Sequence, residues 1–285
     1  MDTTRVTGRD IAILLDMYHY RYLRFSQLAR LHFPSEKSAY HRLKKLIDGG
    51  YLKTFYAPAI PERIFYLTGI GAKIVASELE KEEEAFSWYN YSKTPKDYYF
   101  LRHFLGINDF RILLTTACNK SPLTLLGFIP EYIGEKTKQG FVKKYIRDSV
   151  KEYSHTPDAV FALERDGNAA LFFLEIDRGV EVVSDPEKGL LKAIVFYLNY
   201  WNSQKWQRYQ QDFHREFKTF RTLIITTSKE RLQHVREAVT ALPFTPQHAK
   251  RFLWGTIQSQ VTPDWIFEAI WNALETSDQA LYRIG

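Results

Sequence analysis

Four side chains in the middle of the chain have types and spacing that suit metal-assisted chemistry on a phosphodiester: Asp158, Glu175, Asp177 and Lys192. Pro157-Asp158 opens the apolar run Ala159 to Leu163, and Glu175-Ile176-Asp177 closes the run that begins at Ala169. Between them, Arg165-Asp166-Gly167-Asn168 is a hairpin signal. A short hairpin can bring Asp158 opposite Glu175 and Asp177, and residues two apart on a strand project from one face. Three carboxylates gathered this way repel one another. A divalent cation with hard oxygen ligands would neutralise them, Mg²⁺ being the natural ion and Mn²⁺ its substitute. Lys192 interrupts the apolar stretch Leu190 to Leu198 and must reach either water or a carboxylate. A helix packed on the hairpin would deliver it to the acids. Each residue also has a plainer reading: a Pro-Asp strand cap, a Glu-x-Asp on an exposed edge, a lysine neutralising one buried acid.

The elements that must position these groups follow from periodicity. An apolar helix spans Phe100 to Cys118, carrying His103, Asn108 and Asp109, and a strand spans Leu123 to Ile133 with Glu131 near its end. A basic stretch (Lys136, Lys138, Lys143, Lys144, Arg147) precedes the hairpin. After it come a long helix from Pro186 to about Gln211, capped by Ser184 or Asp185, a strand at Arg221 to Thr227 and a helix at Lys229 to Leu242. A strand at Arg251 to Ile257 and a closing helix at Asp264 to Leu274 end the chain. This order describes a mixed sheet with helices on both faces.

The first eighty residues read differently. Ile11, Leu14, Leu15 and Tyr18 mark a helix capped by Thr7, and Ser26 to Leu31 a shorter one stopped by Phe33-Pro34. Ser35 caps a third helix whose inner stripe is Ala39, Leu43, Leu46 and Ile47, with Lys37, His41, Arg42, Lys44 and Lys45 on its other faces. Asp48-Gly49-Gly50 ends it. Two aromatic strands around Ala57-Pro58-Ala59-Ile60-Pro61 form a hairpin, and Thr68 caps a fourth helix. Helix, helix, basic helix, hairpin, helix is the order of a winged helix-turn-helix. The third helix would enter the major groove, and the hairpin would place Lys53 or Arg63 on the backbone or in the minor groove.

The charge distribution agrees. The chain of 285 residues carries 39 Lys+Arg against 33 Asp+Glu, a formal +6. Residues 1–80 hold 12 of the cations and 8 of the anions, so the first quarter alone has a net +4. A cationic surface attracts polyanions. With 45% hydrophobic residues, a packed core is expected and wholesale disorder is not. The single Cys118 excludes an internal disulfide and a cysteine zinc site. No apolar run is long enough to span a bilayer, and the first residues lack a signal-peptide core, so a soluble, cytoplasmic protein without membrane partners is expected. The charged run Glu80 to Glu84 and the break at Asn90 to Pro95 place a boundary between domains 1–90 and 91–285.

Pro157-Asp158 followed by Glu175-x-Asp177 after a hairpin, inside an αβββαβ order, resembles the PD-(D/E)xK nuclease-like fold. That resemblance implies an α+β and α/β chain, with a restriction-endonuclease-like mixed sheet after the winged helix-turn-helix. It also implies Asp158 and Glu175 as metal ligands, Glu131 as a third, and Lys192 as a lysine supplied from the helix, because Asp177 stands where the family carries lysine. The whole chain from about residue 7 to 260, including Leu174-Glu175-Ile176-Asp177-Arg178-Gly179-Val180-Glu181 and Lys192-x4-Tyr197, resembles the replication-relaxation family of plasmids and other mobile elements. This implies binding of double-stranded DNA in replication initiation or in relaxation and mobilisation, with a relaxase or replication protein as partner and a homodimer as a candidate assembly. Two rivals remain open: a Mg²⁺-dependent endonuclease, and a winged-helix transcriptional regulator whose second domain dimerises or senses a partner.

Overall fold

The computed structural model describes residues 6–58, 60–80, 98–137, 140–179, 183, 185, 187–242, 249–275 and 280–285, without the side chains of 98–100 and 132–145. The expected 90/91 boundary, the charged run 81–84, the Ser184 cap and the side chains of Lys136, Lys138, Lys143 and Lys144 lie outside the described residues. The chain is mixed α and β and divides into two compact units, Met1–Ile112 with Gly134–Lys143 and Leu113–Ile133 with Lys144–Gly285.

In the first unit, α1 (Gly8–Tyr20) starts at a capping box: Thr7 Oγ1 accepts the Asp10 N–H, and the Asp10 carboxylate accepts the Thr7 N–H at 2.7 Å. Its buried stripe is Asp10, Ile13, Leu14 and Met17, rotated from the expected Ile11, Leu14, Leu15 and Tyr18. The rotation follows from Asp10, a buried acid that hydrophobic spacing cannot register. β1 (Tyr22–Arg24) leads into α2 (Phe25–His32), whose N-cap position is Arg24. Gln27 accepts the Arg24 N–H at 2.8 Å, while the Ser26 N–H is taken by Glu62 at 2.9 Å. α3 (Glu36–Asp48) is capped by Ser35, buries Ala39, Leu43 and Leu46, and ends before Gly50, whose φ of 75° only glycine adopts freely. The hairpin β2 (Leu52–Ala57) and β3 (Ile60–Leu67) completes a sheet in the order β1-β3-β2, and α4 (Gly69–Glu78) follows its Thr68 cap.

α4 sits tightly on the chain leaving α3. A Cβ at Gly71 would meet the Tyr51 carbonyl oxygen at 2.4 Å and Leu67 Cδ1 at 2.8 Å. That carbonyl already accepts the Thr68 N–H and hydroxyl, so it is not free to withdraw. Gly71→Ala should therefore lower stability by about 1–3 kcal/mol, read as a shifted denaturation midpoint. Helix α5 (Tyr98–Cys118) contributes its first half to this unit. Asn108 donates to the carbonyls of Tyr20 and Tyr22 at 3.0 and 2.9 Å, and Asp109 pairs with Arg24 and accepts from Gln27. Leu101 and Leu105 pack with Ala57, Ile60 and Ile64.

The second unit is built on a seven-stranded sheet. Its strands are β4 (Thr124–Pro130), β9 (Ala159–Arg165), β10 (Asn168–Ile176), β11 (Phe220–Thr226), β12 (Leu253–Ile257), β13 (Trp271–Ala273) and β14 (Leu281–Tyr282). Along the chain two small hairpins stand between β4 and β9: β5 (Tyr132–Thr137) with β6 (Gly140–Tyr145), most of which belongs to the first unit, and β7 (Asp148–Val150) with β8 (Tyr153–His155). The sheet order is β14-β13-β12-β11-β10-β9-β4. β4, β9 and β10 are antiparallel neighbours, whereas β10, β11 and β12 run parallel and are joined by α6 (Gly189–Ser203), α7 (Tyr209–Phe213) and α8 (Lys229–Thr240). With the small hairpins set aside, α5-β4-β9-β10-α6-β11 is the αβββαβ order expected from the sequence.

Two expected elements differ. The helix foreseen from Pro186 to Gln211 begins at Gly189 and breaks at Gln204, which takes a left-handed φ of 57°; a short 3-10 turn and α7 follow. The closing helix foreseen at Asp264 to Leu274 is a run of turns and strand β13, because Trp271 and Ala273 pair with the sheet at β12 and β14. Alternation along β9 and β10 gives each face its own aromatic core. On the α6 face Phe173 meets Tyr197, Tyr200, Tyr209 and Phe220. On the other face Phe128, Phe161 and Phe172 stack across three strands.

Candidate functional site

Glu175 is the last member of the stripe Leu171, Phe173, Glu175 that β10 turns towards α6, and Asp158 lies just before β9 in phase with buried Val160 and Ala162. Both acids sit at the carboxyl end of β10, where its parallel neighbour β11 also ends, the usual place for a site in sheets with parallel strands. The backbone holds Asp158 there: its N–H donates to Leu174 O at 3.2 Å, and its carboxylate accepts the Ile176 N–H at 2.7 Å. Glu131, in the bend after β4, donates its N–H to the Asp158 carbonyl at 2.9 Å. Carboxylate oxygens of Glu131 and Asp158 lie within 4.8 Å of each other. The structure thus brings Asp158, Glu175 and Glu131 to one corner.

Glu175 is buried and already engaged. Its Oε1 accepts the Tyr197 hydroxyl at 2.5 Å and lies 2.7 Å from Nε2 of His155 on β8. Burial pushes the Glu175 carboxyl above the usual carboxylate range, although His155 and Tyr197 pull it back. For His155, burial acts to lower its basicity, but the charges of Glu175, Asp158 and Asp148 outweigh it, and its proton is held above the ordinary histidine value. The Tyr197 hydroxyl is raised well above its normal value, first by burial and then by Glu175. Asp148, paired with His155 across β7 and β8, has a shell of its own: the Tyr209 hydroxyl at 2.7 Å and Arg208 Nε at 2.9 Å.

Asp177 and Lys192 depart from the expected constellation. Both carboxylate oxygens of Asp177 are taken by Arg231 of α8, at 2.7 and 3.0 Å, and one also accepts the Gly179 N–H at 3.0 Å. Asp177 is therefore one half of an ion pair in which its buried carboxylate is balanced from α8. Lys192 is exposed on α6 between buried Leu191 and Ala193, so its ammonium is in water and not among the acids. The helix residue that reaches Glu175 is Tyr197, the other member of the Lys192-x4-Tyr197 pattern. Tyr197, His155 and Arg231 were missed in the sequence. A tyrosine inside an apolar helix needs a partner for its hydroxyl, which was the available signal; His155 and Arg231 carried none. A hard divalent cation suits the oxygen pair of Glu131 and Asp158. Glu175 is engaged by the side chains of Tyr197 and His155, and Asp177 by that of Arg231, and both are less suited to coordinate it.

On the first unit, α3 turns Lys37, His41, Lys44 and Lys45 to solvent, and Lys53 is exposed on β2. Lys44 pairs with Asp48 at 2.7 Å within the same helix, an exposed pair of little energetic weight. Arg63 donates to the Tyr56 hydroxyl at 3.2 Å and lies over its ring. Arg42 departs from the expected outward face. Its Nε donates to fully buried Asp10 at 2.6 Å and a second guanidinium nitrogen bonds the other oxygen, so it clamps α3 to α1.

No curated protein matches this chain. The replication-relaxation family matches residues 14–215, a span that takes in the basic helix, the acidic corner and α6. More than half of the sequence lies within that match, and the chain belongs to the replication-relaxation family.

Proposed function

We propose that the protein binds double-stranded DNA of a plasmid or other mobile element and acts in its replication initiation or in its relaxation and mobilisation. The first unit is read as a winged helix-turn-helix, with α3 as the recognition helix and the β2–β3 hairpin as the wing. The observation that carries the reading is the two-sidedness of α3: Ala39, Leu43 and Leu46 are buried, while Lys37, His41, Lys44 and Lys45 face water. Such a face offers cations to phosphates and polar groups to base edges. The family membership supports the same setting. Replacing Lys37, Lys45 and Lys53 by alanine should weaken duplex binding across sequences and flatten the plot of log affinity against log salt by about one unit per lost phosphate contact. Unchanged affinity and slope would remove α3 and the hairpin from the DNA interface.

A second reading, a metal-dependent endonuclease, is favoured by one observation, the convergence of Glu131 and Asp158. A Mg²⁺ or Mn²⁺ ion held by these two acids would stabilise charge developing on a phosphodiester. Glu175, with His155 and Tyr197, would then shape the electrostatics of the corner, and His155 would hold a proton beside it. Plasmid nicking that requires the ion and disappears in Asp158→Ala would establish this activity. Its absence, with DNA binding retained, leaves the second unit as a binding or assembly platform.

A further inference from the structure

At the opposite end of the same sheet, and on its opposite face, lies a cavity of about 300 Å³. Alternation places Leu163 and Arg165 of β9, Asn168 and Ala170 of β10 and Arg221 of β11 on this face, in phase with the stacked Phe161 and Phe172. Arg283 stands on the cavity rim and pairs at 3.0 Å with exposed Glu268; Arg165 has a loose contact with Asp166 at 3.6 Å. Arg221 differs from both. Its guanidinium lies over the Trp254 ring, 4.9 Å from the centroid, and Trp254 is itself stacked on Tyr282. Its Nε is inaccessible to solvent and has no acceptor among the described residues. Arg221 is partly buried, and this burial lowers the basicity of its guanidinium.

Nε of Arg221 is out of reach of water and without an acceptor among the described residues, a cost that a ligand oxygen at the cavity would remove. The aromatic face beneath Arg221 offers only partial compensation. The cavity is lined by three arginines and an asparagine against one acidic side chain, Asp166, so cations exceed anions there and a guanidinium fork matches an oxyanion with several acceptor oxygens. We propose that the Arg221 cavity is a binding site for a phosphate group, carried by a free phosphate compound or by a nucleic-acid backbone. The site is remote from the acidic corner within this unit and does not depend on how α3 is used.

The test uses the full chain and inorganic phosphate, with chloride as control, followed by calorimetry and by the rise in Tm that a ligand of the folded state produces. Saturable binding is expected, weakened at least about tenfold in Arg221→Gln, which keeps the side chain's bulk and loses its charge. Should Arg221→Gln fold poorly, the double variant Arg165→Gln with Arg283→Gln alters only exposed rim charges and should weaken binding severalfold. No saturable binding, equal binding of chloride, or binding unchanged in these variants would overturn the proposal. A second arm separates the sources. In Arg221→Gln, a duplex-binding salt slope reduced by about one assigns the phosphate to DNA, whereas an unchanged slope with phosphate binding lost assigns it to a free compound.

Discussion

Replacing His155 by alanine is expected to cost the second unit about 3–5 kcal/mol near neutral pH, the usual consequence of leaving a buried charge without its partner. Glu175 is the charge in question, with only 9% of its side chain exposed against 20% for His155. The loss should depend on pH, and its sign follows from the shift of each group. The His155 proton is held more tightly in the folded protein than in a free chain. The stabilisation it brings is therefore complete below the ordinary histidine value and is lost as pH rises through the higher folded value. Glu175 is shifted upwards as well, so its ionised form is a liability that grows as pH passes through and above the carboxylate range. In His155→Ala, the Tyr197 hydroxyl alone of these two partners remains to offset that liability. Denaturant melts at about pH 6 and about pH 9 should show the wild-type advantage narrowing at the higher pH, where His155 has given up its proton. An advantage that does not change over this interval would mean that the imidazole does not change its protonation within it. Tyr197→Phe offers a milder companion, removing one hydrogen bond to Glu175 at about 1–2 kcal/mol.

Arg42→Ala should lower the stability of the first unit by about 2–3 kcal/mol, below the full buried-pair range because the arginine side chain is 22% exposed. Asp10 would remain buried, losing two of its hydrogen bonds and keeping those from Thr7. Burial by itself would raise the Asp10 carboxyl, but the bonds from Arg42 and Thr7 outweigh it and hold it below the usual aspartate value. The stabilisation is thus present above the ordinary aspartate range and disappears as pH falls through the depressed folded value. Arg42→Ala should flatten this acid limb of the stability profile. Lys45→Ala, three residues further along α3 and exposed, should leave stability within about 0.5 kcal/mol and, on the proposed reading of α3, act on DNA affinity alone. If Arg42→Ala kept the wild-type midpoint while DNA affinity fell, Arg42 would belong to the DNA-facing surface after all.

These two ion pairs mark the limit of what local pattern could reveal. The caps at Thr7, Ser35 and Thr68 and the stop at Gly49-Gly50 were legible because each acts over three or four residues, and all are present. The hairpin of β9 and β10 was legible because alternation and the Asp166-Gly167 turn agree, and it did bring Asp158 and Glu175 together. The rotation of α1 was not legible, since Asp10 looks like a surface residue until Arg42, thirty-two positions away, is placed against it. The final helix failed for a related reason: the apolar spacing in Ile266 to Leu274 fits either period, and pairing with β12 selected the strand.

The amino-acid order alone determined the first four helices, the strand order through β11 apart from β1 and the small hairpins, and the presence of a basic helix and an acidic hairpin, because caps, turns and apolar periods are short-range properties of the chain. Only the tertiary structure decided which charges are spent inside the protein. Arg42 on Asp10, Arg231 on Asp177 and His155 on Glu175 are contacts between distant segments that neutralise buried acids, whereas partly buried Arg221 faces a cavity. The physical reason is that a buried charge is tolerated only where the fold supplies its partner, and that partner is chosen by packing rather than by proximity along the chain.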